Sequence, residues 1–396
     1  MAALKTLKTR DAVIPMKVKS FDSSIINQLH LSSYHEAFST DVMSALIALS
    51  RKWVKSDNSE IAALGFWLRK SNLQRMKEEF SRIEQVQRAG TVFHIAPSNV
   101  DTIFAYSWAL SFLLGNKNLV RISQRAQATT LILLKDIELL FKSQQFNELG
   151  KGQLFFSYKH EESINLELAE LCDIRAIWGG DDTVAKLSKT KLKSGAHDVH
   201  FHTKYSACAV SALKVKNAPE RFVSQLLRTG LAFEQQACTS PKMIIWFGDE
   251  NDIAQAKQRV CTVLDSDIEL PLSVSNIIAK KLSLDFSFAN DSQAIYSDPF
   301  YRLNIVESPI NSITQLLKMH SGQGLFISCN EKEFRTVMFS HYDKFQTLGL
   351  YGLERDEVLP LYTNLDFCRL VPMEKMHEFS HHWDGMNLLE QFCVSH

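Results

Sequence analysis

The residues best suited to chemistry gather around one thiol. Glu234-Gln235-Gln236-Ala237-Cys238-Thr239-Ser240-Pro241 is a polar stretch holding one of the seven cysteines. Before it, Phe222, Val223, Leu226, Leu227 and Leu231 form a helical stripe within residues 218–231, and after it residues 243–247 are a short apolar run of strand length. A thiol at such a junction can face a cleft and serve as a nucleophile. Free cysteine more often behaves as a small hydrophobe, so the standing of Cys238 as candidate nucleophile depends on its company. Three other stretches are polar or rich in glycine: Pro97-Ser98-Asn99, Arg121-Ile122-Ser123 and Gly179-Gly180-Asp181-Asp182. Each also reads as an ordinary turn, where these residue types cap helices. His200-x-His202 and His381-His382 lack cysteine or acidic partners at ligand spacing, so no metal site is expected.

These residues need a scaffold, and the pattern supplies one. From residue 91 strand-like and helix-like segments alternate: strands at 91–96, 118–123, 154–158 and 174–178, with helices at 101–114, 126–146, 161–171 and 181–187. Such alternation implies a parallel sheet with helices on both faces, and ligands of these sheets bind at the carboxyl ends of the strands, where the three polar turns fall. Further strands are expected at 198–202 and 207–210. Beyond the Cys238 loop the alternation resumes, with strands at 243–247, 303–306 and 324–328 and helices at 250–264, 310–320 and 331–339. Residues 364–372 add a further expected strand. The fold class expected is α/β, two doubly wound domains behind a helical N-terminal region with helices at 41–54 and 60–85. The boundaries expected are 1–205, 206–355 and a C-terminal segment, 356–396, returning to the first domain or to an oligomer interface.

Composition narrows the classes of function. A chain of 396 residues, 45% of them hydrophobic, can bury two cores. Forty-four basic residues balance forty-four acidic ones, which leaves no global field to attract nucleic acid or an anionic membrane. The longest apolar run, 103–114, contains two serines and is too short to span a bilayer. Seven scattered cysteines with no C-x-x-C pair, and no signal-peptide pattern at the start, point to free thiols in the cytoplasm. No G-x-S-x-G elbow, Walker phosphate loop or G-x-G-x-x-G fingerprint is present.

Taken together, the run from Gly90 to Ser123 (GTVFHIAPSNVDTIFAYSWALSFLLGNKNLVRIS), AIWGGDD at 176–182, FEQQACTSP at 233–241, and Arg369-Leu370-Val371-Pro372 followed by Trp383-Asp384-Gly385 resemble the fatty acyl-CoA reductase family. That family is typified by the reductase of bacterial bioluminescence and lies within the aldehyde dehydrogenase superfamily. The resemblance covers roughly residues 60 to 390. It implies an aldehyde-dehydrogenase-like fold and a nicotinamide cofactor, with NADPH ahead of NADH. It implies Cys238 as the nucleophile and Asn99 as an amide donor facing the reacting carbonyl. Pro97, Ser98, Arg121, Ser123, Gly179 and Gly180 would lie against the cofactor, with Arg121 and Arg125 facing a 2′-phosphate.

Where hydrolytic relatives carry the glutamate that activates water, this chain reads Asp198-Val-His-Phe-His-Thr-Lys-Tyr205, without a glutamate. Such a site suits reduction of an acyl thioester, because water would discharge the acyl-enzyme as free acid. The reaction expected is therefore reduction of fatty acyl-CoA, or an acyl-protein thioester, to the aldehyde. The competing readings are a CoA-acylating or hydrolytic aldehyde dehydrogenase working oxidatively, and a non-catalytic acyl-holding subunit of a fatty acid reductase complex. Expected partners are an acyl-activating synthetase subunit and further copies of the chain, with no nucleic acid and no membrane span. His200 and His202 are candidates for the general acid, since imidazole titrates near neutral pH.

Overall fold

A computed structural model gives the fold and describes residues 18–83, 87–97, 100–124, 126–159, 161–264, 274–298, 303–359 and 369–395. Ser98, Asn99, Arg125, Phe300 and Cys368 lie outside the described residues. The chain divides into two compact units, one of residues 1–178, 184–200 and 389–396, the other of residues 179–183 and 201–388.

The first unit is organised by a five-stranded sheet of β1 (Thr91–Ile95), β2 (Lys117–Arg121), β3 (Gln153–Phe156), β4 (Ile174–Trp178) and β5 (His197–Phe201), in the order β3-β2-β1-β4-β5. β1 pairs in parallel with β2 and β4, and β2 with β3. All five residues of β1 and of β4 are buried, as expected when helices cover both faces of a parallel sheet. On one face Phe93, Ile95, Leu119, Phe156 and Ile177 pack with Ile25, Leu29 and Leu168. On the other, helix Ile103–Leu113 is buried almost all round. His94 there accepts a hydrogen bond from the Ser107 hydroxyl at Nδ1 and donates from Nε2 to Asn118 Oδ1, both at 2.8 Å.

The helix expected at 60–85 is two helices, Ser59–Trp67 and Lys70–Phe80. Leu68 leaves helical geometry at ψ 9°, Arg69 is extended at ψ 147°, and the Asn72 side-chain amide donates to the Trp67 carbonyl at 2.7 Å. That bond fills one of the acceptors a helix end leaves open, which stabilises the break. Helix Ser23–Leu31, capped by Asp22 accepting from Ser24 N–H, was not expected from the sequence.

The second unit is organised by a seven-stranded sheet of β6 (Tyr205–Ser211), β7 (Pro241–Phe247), β8 (Gln293–Ser297), β9 (Asn304–Glu307), β10 (Leu325–Asn330), β11 (Phe345–Tyr351) and β12 (Arg369–Pro372), in the order β12-β11-β6-β7-β10-β9-β8. Every neighbouring pair is parallel except β9 with β8. Strand period two sends Ala207, Ala209, Met243, Ile245, Ile327 and Leu348 to one core and Cys208, Val210, Ile244, Trp246 and Phe326 to the other. Among the described helices, none is long and apolar enough to cross a membrane.

Candidate active site

Helix Glu220–Leu231 delivers the chain into residues 232–240. Phe233, Glu234 and Gln235 then take φ values of 57°, 52° and 59°. A left-handed step costs about 1–2 kcal/mol per residue for an L side chain, so a run of three needs a strong clamp. Gln235, which is 0% exposed, provides it. Its Nε2 donates to Pro241 O and Leu325 O, both at 2.7 Å, and its Oε1 accepts from Gly324 N–H at 3.0 Å and Leu325 N–H at 3.1 Å. The Lys242 ammonium donates to the Gln235 backbone carbonyl, and Gln236 Nε2 donates to Ser321 O. Four buried side-chain hydrogen bonds at about 1 kcal/mol each are of the size needed to hold the turn.

Cys238 follows on a turn closed by Ser240 N–H donating to Ala237 O at 2.9 Å. Its own carbonyl accepts from Ser206 Oγ at 2.7 Å. Next to it, Thr239 Oγ1 donates to His377 Nδ1 at 2.9 Å, because His377 Nε2 carries the proton that it donates to Thr229 O, also at 2.9 Å. Register shifts occur at this level in two neighbouring strand pairs. β11 passes from Phe345 opposite Tyr205 to Thr347 opposite Ser206, leaving Gln346 unpaired in the register, and β7 passes from Pro241 opposite Ser206 to Met243 opposite Ala207, leaving Lys242 so. Bulges re-aim side chains: here Lys242 reaches Gln235 O in the thiol loop, and the Gln346 amide donates to Asp384 Oδ1 at 2.6 Å. The site therefore lies at the amino ends of β6, β7, β10 and β11, opposite to the edge that parallel sheets generally use.

The electrostatics follow from burial. Burial pushes the Cys238 thiol up to about 12, and the Asp384 carboxylate adds to the rise, while the Gln346 amide and the backbone N–H groups of Cys238 and Thr239 act against it. Burial draws the Lys242 ammonium down to about 8, with the cysteine opposing the shift. His320 is held well below the usual imidazole range by burial and then by the Lys242 charge. Burial raises the Asp384 carboxyl, which accepts from Gln346 Nε2 at 2.6 Å.

In the first unit, an open cleft past the carboxyl ends of β1 and β2 is lined by Ala96, Pro97, Val100, Asp101, Phe104, Ile122, Ser123, Ala126 and Thr130. Its lining mixes apolar side chains with the Asp101 carboxylate and the hydroxyls of Ser123 and Thr130. Arg121 is not part of the lining: its guanidinium lies 4.8 Å over the Tyr158 ring, with Nε buried and unpartnered. Gly179 and Gly180 follow β4 directly, and Gly180 has only Thr203 Oγ1, at 3.6 Å, where a Cβ would point, leaving room for close approach.

The sequence model of the acyl-CoA reductase (LuxC) family matches residues 68–395. The chain belongs to that family. No curated protein sequence matches it. Among solved structures it is similar to the glyceraldehyde-3-phosphate dehydrogenase GapN of Methanocaldococcus jannaschii complexed with NADP, at TM-score 0.67 and 14% identity, covering 94% of this chain and 90% of that one. It is likewise similar to an NAD-dependent benzaldehyde dehydrogenase of Corynebacterium glutamicum, at TM-score 0.67 and 10% identity, covering 94% and 86%. The fold is that of the aldehyde dehydrogenases, and the family membership makes the chain an oxidoreductase.

Of the residues expected at the site, the second unit holds Cys238, Gly179 and Gly180, and the first holds Pro97, Ser123 and Arg121. His200 interacts with Ser188 Oγ at 3.0 Å and lies 3.5 Å from Asp198, and His202 lies 3.5 Å from Asp181. Both histidines thus have acidic neighbours that spacing in sequence did not suggest. Gln346, Lys242, Ser206 and His377 were not picked out from the sequence, and Asp384 only within the Trp383-Asp384-Gly385 motif. Of these only Asp384 carried a signal, the Asp-Gly pair of a tight hairpin turn.

Proposed function

We propose that the chain reduces a fatty acyl thioester to the aldehyde through an acyl group held on Cys238, with NADPH as the preferred cofactor and NADH as the second. The observation that carries this reading is the Cys238 turn itself, entered through three left-handed residues that Gln235 clamps with four buried hydrogen bonds. Donors placed where negative charge develops are the main catalytic resource for acyl transfer. The Cys238 sulfur forms a bond to the acyl carbon, the bond from that carbon to the departing thiol breaks, and the oxyanion between these events collects the backbone donors. Asn99 is assigned the remaining side-chain donor. A nicotinamide held by the first unit would supply the hydride, while Cys238 holds the acyl group until its C–S bond breaks and the aldehyde leaves.

What the site lacks also supports reduction over hydrolysis. Within 198–205 the sole carboxylate is Asp198, and Arg175 donates to both of its oxygens, Nε at 2.7 Å and NH2 at 2.8 Å. Both oxygens of that carboxylate are thus already engaged as acceptors. Arg121 is assigned to the cofactor's ribose or its 2′-phosphate, and Asp101 in the same region offers an acceptor for a ribose hydroxyl. The test is product identification: the protein with acyl-CoA and NADPH should yield aldehyde and free CoA, whereas free acid from aldehyde and NADP+ without CoA would overturn the reading.

A further inference from the structure

His377 meets the thiol loop at its entry, at its bend and just past the cysteine. Its Nε2 donates to the carbonyl of Thr229, in the last turn of the helix that enters the loop, and its Nδ1 accepts from the hydroxyl of Thr239, the residue after Cys238, both at 2.9 Å. The ring of Phe233, the first of the three left-handed residues, meets the imidazole in a T-shaped contact with centroids 5.2 Å apart. One side chain therefore ties the two ends of the turn together.

The segment that carries His377 is itself fixed. After β12 the chain makes a single 3-10 turn, Met373–Lys375, and Met376 N–H donates to Met373 O at 3.1 Å. Arg369 reaches over from β12, its Nη1 donating to Glu378 O at 2.9 Å and its Nη2 to Met376 O at 3.3 Å and Lys375 O at 3.4 Å. Those carbonyls flank His377 on both sides. Met376 is fully buried, and its sulfur occupies the place where a Cβ on Gly349 would stand, so β11 admits it because residue 349 is glycine. The motif Arg369-Leu370-Val371-Pro372 thus holds the turn that presents the imidazole.

We propose that His377 is a positioning residue for Cys238: the imidazole, braced by Arg369, fixes the Thr239 hydroxyl and with it the direction in which the neighbouring thiol leaves the backbone. The proposal rests on the reading of Cys238 as the nucleophile. On the other side of the thiol, the Cys238 carbonyl accepts from Ser206 Oγ at 2.7 Å, so both flanks of the nucleophile are held. His377 moves no proton in this role and acts through Thr239. Burial holds the imidazole below its usual range; the bond to the Thr229 carbonyl opposes that fall and the Arg369 charge adds to it. Near neutral pH the ring is therefore uncharged and able to accept at Nδ1.

The test is the rate of acyl-Cys238 formation from a long-chain acyl-CoA without cofactor, followed by quenched-flow mass spectrometry over a range of acyl-CoA concentrations. Thr239→Val keeps the shape and removes the hydroxyl; it should slow acylation at saturation about tenfold, the size of one lost buried hydrogen bond, and move the half-saturating concentration by less than about twofold. Thr239→Ser keeps the hydroxyl and should acylate at nearly the wild-type rate. His377→Phe keeps a ring against Phe233 and should slow acylation by a similar factor to Thr239→Val. The double variant should be no slower than the slower single one, because both changes remove the same link. Effects that multiply in the double variant would mean that His377 acts by filling space, and overturn the proposal. Equal rates in Thr239→Val and Thr239→Ser also overturn it, and that pair decides the matter alone if His377→Phe does not fold. A wild-type protein that forms no acyl-Cys238 sinks the functional reading together with the proposal; wild-type acylation with multiplying effects sinks the role of His377 alone.

Discussion

Gly322 lies 84 residues after Cys238 in sequence, yet replacing it by alanine should disable the thiol. Gly322 has φ +73°, and a Cβ there would stand 2.5 Å from Gln236 Nε2 and 2.7 Å from the Gln235 backbone oxygen. The positive φ alone should cost about 1–2 kcal/mol. The side-chain amide of Gln236 can swing away, but the Gln235 carbonyl cannot without disturbing the clamp around it, which adds about 1–3 kcal/mol of overpacking strain. Gly195 is a built-in control, since it has φ +81° and nothing within 4 Å of its Cβ position. Gly195→Ala should therefore lose about 1–2 kcal/mol in urea unfolding. Gly322→Ala should lose about 2–5 kcal/mol and also slow alkylation or acylation of Cys238 by tenfold or more. If Gly322→Ala costs no more than Gly195→Ala and leaves Cys238 reactivity unchanged, the reasoning that Gln235 buttresses the thiol loop is wrong.

Two other outcomes are expected. Burial lowers the His94 pKa from 6.5 to about 4, so between these values the unfolded chain binds the extra proton. Stability is then full above about 6.5 and falls as pH drops toward 4, by about 2 kcal/mol at pH 5; urea midpoints at pH 7 and 5 should reveal the slope, and His94→Gln should flatten it. Arg121→Ala should raise KM for NADPH several-fold with less effect on kcat, and should narrow the preference over NADH if the guanidinium meets the 2′-phosphate. Equal effects on both cofactors in steady-state assays would move Arg121 to the ribose.

How far the site was legible differs between its halves. In the first unit β1 and β4 are largely apolar runs followed by Pro97 and Gly179, and the strand-turn-helix rhythm reads directly from the chain. Cys238 was legible through its place between a helical stripe and an apolar run. Its supports were not. Gln346 belongs to Phe345–Tyr351, a strand with Gln, Thr and Gly among its first five residues, which hides the apolar pattern, and the register shift that aims it depends on the pairing with β6. Lys242 looks like a charged residue near a strand start, yet its ammonium serves the carbonyl of a left-handed turn. Gln235 was read as loop polarity, when its four hydrogen bonds reach Pro241, Gly324 and Leu325, up to 90 residues away. The β8 edge strand is largely exposed, so it had no burial pattern to read.

The central claim, that Cys238 takes an acyl group from a thioester, is tested most directly by intact-protein and peptide mass spectrometry after incubation with a long-chain acyl-CoA and no cofactor. One acyl group should appear on the Cys238 peptide, be absent in Cys238→Ala and disappear when NADPH is added. No acyl adduct, or an undiminished adduct in Cys238→Ala, would contradict it.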